Sequence, residues 1–178
     1  MLSQIQGEGK EEQPFEKQRG PITVGLMNLK LMSWNVRGAN DVNKRRIIKS
    51  VVRKQKVDLM CIQETKIQLM TDGVGRFLEW RTIEAAGAAG GVLVCWDKRS
   101  LELLEWEEGQ FSISCKFRIV ENGTVWVFTG VYGPFNKKDR ECLWDELGAV
   151  RGLWGDPWCV GGDFNVILAQ GKGAGKGG

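Results

Sequence analysis

Asp163 and Asn165 stand two residues apart in Gly162-Asp163-Phe164-Asn165, at the end of the apolar run Trp158-Cys159-Val160. In extended backbone, residues two apart share a face. An acid and an amide are then presented together, while Phe164 turns the other way into a core. Such a pair suits holding a water or a metal-bound phosphate. Asn35, Glu64 and Tyr132 each follow another apolar run: Leu29 to Trp34, Val57 to Ile62, and Thr124 to Val131. Ligands in layered α/β folds collect at the C-terminal ends of strands. Four strand ends with two carboxylates among them predict one site assembled from segments distant in sequence. The chain contains no histidine, the side chain most often used for proton transfer.

These residues need strands to carry them and helices to cover the strands. Leu29 to Trp34 and Val57 to Ile62 read as buried strands. Between them, Asn40 or Asp41 can cap a helix with an apolar stripe of Ile47, Ile48, Val51 and Val52 and a basic face of Lys44, Arg45, Lys49 and Arg53. Gly91 to Trp96 and Leu101 to Trp106 read as a strand pair around Asp97-Lys98-Arg99-Ser100. Phe111, Ile113, Cys115, Phe117 and Ile119 alternate with polar residues, which predicts a half-exposed strand. Asn122-Gly123 supplies a tight hairpin turn into the more buried Thr124 to Val131. Leu143, Leu147 and Val150 mark a second helix after Asn136-Lys137-Lys138. The pattern is α/β with much antiparallel sheet. Residues 1–28 and 169–178, rich in Gly, Lys and other polar residues, read as disordered tails around a folded part at 29–168.

Composition bounds the chemistry further. The 178 residues are 42% hydrophobic and 26% charged, ordinary for a globular domain, and the net charge of +3 is too small to argue for nucleic-acid binding by itself. The eight tryptophans sit mostly in apolar runs and read as core. Five cysteines, Cys61, Cys95, Cys115, Cys142 and Cys159, form no CxxC pair. They read as thiols in a reducing compartment, nucleus or cytoplasm, and not as a disulfide framework or zinc site. No secretory h-region and no membrane-spanning run is visible in the sequence. Gly171-Lys-Gly-Ala-Gly-Lys176 lacks the spacing and the Ser/Thr of a phosphate-binding loop, so no nucleotide cofactor is expected.

Trp34-Asn35-Val36-Arg37-Gly38, Ile62-Gln63-Glu64-Thr65-Lys66, Ala89-Gly90-Gly91, Val131-Tyr132-Gly133-Pro134 and Gly162-Asp163-Phe164-Asn165 occur in that order. Together they resemble the endonuclease/exonuclease/phosphatase superfamily, and most closely the endonuclease domain of plant LINE-type (non-LTR) retrotransposons. The resemblance implies a four-layer α/β sandwich that hydrolyses phosphodiesters with Mg²⁺ or Mn²⁺, DNA being the expected substrate and partner. By the same resemblance Glu64 ligates the metal and Asn35 stands in its near shell. Asp163 orients or deprotonates the attacking water, Asn165 helps position it, and Tyr132 hydrogen-bonds the phosphate. Arg37 and Lys66 are weaker candidates for phosphate contact.

The departures from the family pattern shape the expectation equally. The family's second half carries an aspartate and an Asp-His pair, and neither follows Asn165 here. Phe135 stands where some members carry asparagine, with Asn136 displaced by one. The expectation is an incomplete sandwich with the second sheet largely missing, truncated at its C-terminal side, inactive as this chain, and monomeric or aggregation-prone. Two other readings stand beside it: a non-catalytic nucleic-acid-binding remnant, and a gene-model fragment without a selected function.

Overall fold

A computed structural model describes residues 22–26, 29–36, 46–47, 50–51, 54–65, 76–84 and 91–166; for residues 22–26, 64 and 65 it describes the backbone alone. Nine strands are β1 (Ile22–Leu26), β2 (Leu29–Asn35), β3 (Leu59–Thr65), β4 (Leu78–Glu84), β5 (Gly91–Asp97), β6 (Leu101–Glu108), β7 (Ser112–Ile119), β8 (Val125–Tyr132) and β9 (Trp158–Asp163). They form two sheets, β1-β2-β3-β5-β4 and β6-β7-β8-β9. A long helix, Lys137–Leu153, lies between β8 and β9 in sequence. The architecture is a mixed α/β sandwich, incomplete in that its second sheet has four strands among the described residues, with β9 at its edge.

Strand alternation divides the apolar residues among three clusters. Leu29, Leu31, Leu59, Cys61, Val92, Val94 and Trp96 point from the first sheet toward Ile113, Cys115, Phe117, Trp126, Phe128 and Tyr132 of the second. On the outer side of the first sheet, Met32, Met60, Ile62, Leu93 and Cys95 gather with half-buried Val51. Residues 46, 47, 50, 51, 54 and 55 are helical, so Val51 brings that helix onto the sheet. Ile47, read from sequence as part of the same stripe, is exposed. Ile48 and Val52 lie outside the described residues. On the outer side of the second sheet, Leu143 and Leu147 of the long helix cover Phe111 and Val131, with Trp158, Val160 and Phe164 beside them.

Four sequence readings are corrected. β1 falls inside the stretch 1–28 read as a polar tail; its residues find hydrogen-bonding partners along β2, from Ile22 opposite Ser33 to Leu26 opposite Leu29. β5 and β6 do not pair with each other. Both edges of β5 are already used, by β3 and β4, and the turn after Asp97 carries the chain to the other sheet. There the Arg99 side chain hydrogen-bonds both oxygens of the Asp97 carboxylate, which holds its carboxyl below the usual range. β7 is buried on both faces from Ser112 to Cys115, and only its second half, with partly buried Lys116 and exposed Arg118, is half-exposed as read. Its polar side lies under the helix, where Ser114 Oγ meets Thr129 Oγ1 at 2.8 Å and Trp158 Nε1 donates to the same Thr129 oxygen at 2.8 Å. Finally, the second sheet has four strands and is not largely missing.

The hairpin at Asn122-Gly123 is as read: Gly123 takes φ +74°, its N–H donates to Ile119 O, and Thr124 N–H donates to Asn122 Oδ1. Only glycine enters that region without steric cost.

Candidate active site

Two parallel pairs converge on one end of the sandwich. β2 runs beside β3, with Asn35 opposite Gln63. β8 runs beside β9, with Tyr132 opposite Asp163. Asn35 shares the parity of Leu31, Tyr132 that of Phe128, and Asp163 that of Cys159. All three therefore face the gap between the sheets at the C-terminal ends of their strands. The sheets touch there: Cys61 of β3 lies 3.9 Å from the Gly161 carbonyl of β9.

The two ends are joined directly. Asn35 Nδ2 donates to Asp163 Oδ2 at 2.7 Å, across 128 residues of sequence. The other carboxylate oxygen, Oδ1, accepts the Asn165 backbone N–H at 2.9 Å. Asn165 takes φ +49°, a left-handed conformation that Asn tolerates better than most residues, and its Nδ2 donates to the Gly133 carbonyl at 2.6 Å. Gly133 N–H in turn donates to the Asp163 carbonyl at 2.6 Å. A Cβ at position 133 would stand 2.3 Å from Phe164 O, so the approach of the two loops needs glycine. Gly162, at φ +145°, has the same dependence because a Cβ would meet Val131 O at 2.0 Å. Tyr-Gly-Pro and Gly-Asp-Phe-Asn are thus two halves of one interlocked turn.

Glu64 sits at a β-bulge. Gln63 is opposite Val92 and Thr65 is opposite the very next residue, Gly91. One extra residue, Glu64, is therefore inserted beside the end of β2. Bulges of this kind re-aim a side chain and recur next to active sites. Gln63, which the sequence did not single out, is buried with its Nε2 donating to Ser33 Oγ at 3.1 Å and toward Cys61 Sγ at 2.9 Å, and so braces the strand leading to the bulge. Arg37 and Lys66 lie outside the described residues.

Tyr132 is buried with its ring edge-on to Phe135 at 6.5 Å. Asn136 does not serve the site; its side chain accepts the Asp139 N–H at 2.8 Å and caps the long helix. Phe164 stacks on Trp144 of that helix at 5.9 Å. Sequence reading missed Trp144 and named Phe135 only as a departure from the family pattern. The signal for Trp144 was an aromatic residue off the helix's apolar stripe.

The donor set is oxygen and amide chemistry, which suits Mg²⁺, a cation that takes one or two carboxylates and keeps several waters. Among the described residues no three Asp, Glu, His or Cys side chains gather as a metal cluster. No described helix is long and apolar enough to cross a membrane.

A family model described as Endonuclease/Exonuclease/phosphatase family matches residues 32–173. Among solved structures, an endonuclease/exonuclease/phosphatase family protein from Bacteroides thetaiotaomicron is 15% identical, with 85% of this chain and 67% of that one covered at TM-score 0.64. The human Nocturnin catalytic domain is 15% identical over 83% of this chain and 68% of that chain at TM-score 0.61. TDP2 from D. rerio, complexed with a single-strand DNA product, is 17% identical over 79% and 62% at TM-score 0.64. These likenesses show the fold. The chain spans about two thirds of the length of the structures it matches. No curated protein matches it.

Proposed function

This chain belongs to the endonuclease/exonuclease/phosphatase family, and we propose on that premise that it is the front part of a DNA phosphodiesterase domain, derived from a LINE-type retrotransposon and inactive as this chain. The observation that carries the reading is the Asn35–Asp163 hydrogen bond, which unites the first and last motifs in one polar site. Support for DNA as the inherited substrate comes from the TDP2 relative, solved with a single-strand DNA product.

In the inherited reaction a water adds to phosphorus while the bond to the leaving sugar oxygen breaks. Asp163 holds that water and takes its proton. Its carboxylate has about four acceptor directions; Asn35 and the Asn165 amide fix two and so set the orientation of the rest. Asn165, locked against Gly133, aligns the phosphate beside it. Tyr132, buried as a ring, reaches the phosphate with its hydroxyl tip. Glu64 and Asn35 would hold a Mg²⁺, with Mn²⁺ as substitute, and the cation supplies Lewis-acid stabilisation of charge on the phosphoryl oxygens. Asn35, its Nδ2 given to Asp163, would meet a cation through Oδ1. The family's Asp-His ending is the part the resemblance expects and this sequence lacks. Loss of one positioned acid–base group costs roughly 10²–10⁴-fold in rate, and loss of its aspartate partners compounds it. The free thiols support a reducing location, nucleus or cytoplasm.

A nicking assay on supercoiled plasmid with Mg²⁺ tests the reading. The expected result is intact plasmid; cleavage that Glu64→Ala abolishes would overturn the proposed inactivity. Reading the genomic DNA downstream of the Leu168 codon tests the truncation. A continuing frame with an Asp-His ending would mark this chain as a fragment of an enzyme.

A further inference from the structure

Two large aromatic side chains flank the site and are exposed: Phe135 at 68% and Trp144 at 50%. Each is tied to the interlocked turn from behind. Phe135 meets the Tyr132 ring edge-on at 6.5 Å, and Trp144 stacks on Phe164 at 5.9 Å with 14° between the rings. Tyr132 is the register partner of Asp163 and Phe164 follows Asp163 directly, so each exposed aromatic rests on a residue adjoining Asp163.

The contrast with other exposed aromatics is informative. Phe77 carries the Arg76 and Arg99 guanidinium groups over its ring at 5.0 and 4.6 Å, and Trp106 carries Arg81 at 4.5 Å. Among the described residues no cation covers Phe135 or Trp144. Their neighbours are nevertheless basic. Lys137, Arg140 and Trp144, at helical spacings of three and four, share one flank of the long helix, and Arg140 Nη1 donates to the Phe135 carbonyl at 3.2 Å. Among the described residues Lys137, Lys138 and Arg140 enter no ion pair. Glu141, four residues after Lys137, borders this flank, whereas Lys138 and Asp145 fall further round, on the face away from the sheet.

We propose that Phe135 and Trp144 are stacking surfaces for unpaired nucleobases beside the scissile phosphate, with Lys137 and Arg140 tracking the adjacent backbone. Bare aromatic faces interleaved with free cations are what single-stranded nucleic acid requires, because every base has a stackable face and every linkage a charge. This rests on the phosphodiesterase reading and narrows it: the site takes a strand with bases, and not a small phosphate ester. It also gives Phe135, the residue that departs from the family's asparagine, a role of its own.

The test measures fluorescence anisotropy of the whole chain in EDTA, with labelled oligodeoxythymidylate of about ten nucleotides and an abasic phosphodiester of equal length. The thymidylate is expected to bind roughly tenfold tighter or more. Phe135→Ala should remove most of that preference and leave the salt dependence unchanged, while Lys137→Gln should lower the salt slope for both polymers. Trp144→Phe should keep the preference and Trp144→Ala lose it, with thermal unfolding confirming that each variant is folded. Equal affinity for the two polymers, a preference untouched by Phe135→Ala, or no binding to either overturns the stacking proposal. So does self-association that Phe135→Ala abolishes, since the patch would then be a protein interface. The phosphodiesterase reading is decided separately, by whether the frame downstream of the Leu168 codon continues to an Asp-His ending.

Discussion

Asn165 shows how much of the candidate site is a backbone problem. It occupies φ +49° and uses both its N–H and its side chain, toward Asp163 and Gly133. Replacing it separates the two roles. Asn165→Gly removes the side-chain bond but accepts the left-handed conformation freely, whereas Asn165→Ala removes the bond and pays a steric cost. Stability should fall in the order wild type, Gly, Ala, with Ala roughly 1–3 kcal/mol below wild type, the sum of a lost hydrogen bond and about a kilocalorie or two of strain. Thermal melts of the two variants check this; Ala as stable as Gly would show that the φ is not held by the surrounding turn.

Between elements, Glu146 joins the long helix to the β6–β7 turn. Its carboxylate accepts the Gln110 N–H at 2.8 Å, the Phe111 N–H at 3.2 Å and the Ser112 hydroxyl. No regular strand pairing satisfies those turn donors, so the helix completes the hairpin. Glu146→Ala leaves three donors to find new partners, one of them on buried Ser112, and should cost about 1–3 kcal/mol. Glu146→Gln should recover part of the loss. Urea unfolding of both variants tests the staple. β9 poses the opposite problem. Among the described residues it pairs on one side only, and Trp158-Cys159-Val160-Gly161-Gly162 offers no charge along that edge. By contrast, edge strands β4 and β6 carry Glu and Arg residues, and β6 has an irregularity between Leu103 and Glu105. Charges and bulges are the usual protection of edges, and β9 has only Asp163 at its very end.

Across the whole molecule the layers set the chemistry of the thiols. Cys61, Cys95 and Cys115 are buried in or behind the first and second sheets, and burial pushes each up from an ordinary 9.0 to about 12. The unfolded chain gives up those protons near 9.0 while the folded chain keeps them. Stability is therefore unaffected by these groups below about pH 9 and falls as pH rises above it, by up to about 4 kcal/mol per pH unit for three thiols. Chemical unfolding at pH 8 and pH 10.5 measures this; Cys61→Ala should reduce the slope by about one thiol's share. At pH 8 a thiol reagent should label exposed Cys142 quickly, Cys159 slowly, and the other three only after unfolding.

Period-two alternation and glycine-punctuated strand ends made seven of the nine described strands, the long helix and its Asn136 start legible in the sequence, because each follows from local chemistry; β1 and β4 were not read. The same pattern marked Asn35, Asp163, Asn165 and Tyr132 as strand-end residues. What it could not hold was partnership. Periodicity does not say which sheet a strand joins, so β5 and β6 read as neighbours and the serine side of β7 read as solvent-facing. A short apolar piece such as β1 is a strand only because β2 offers it an edge. The bulge at Glu64, the lock between Asn165 and Gly133, and the exposure of Phe135 and Trp144 beside the site are all set by segments far away in sequence. The residues alone determined which side chains could do chemistry; the packing of two sheets decided which of them meet, since contacts between distant segments are fixed by the layer as a whole and not by any run within it.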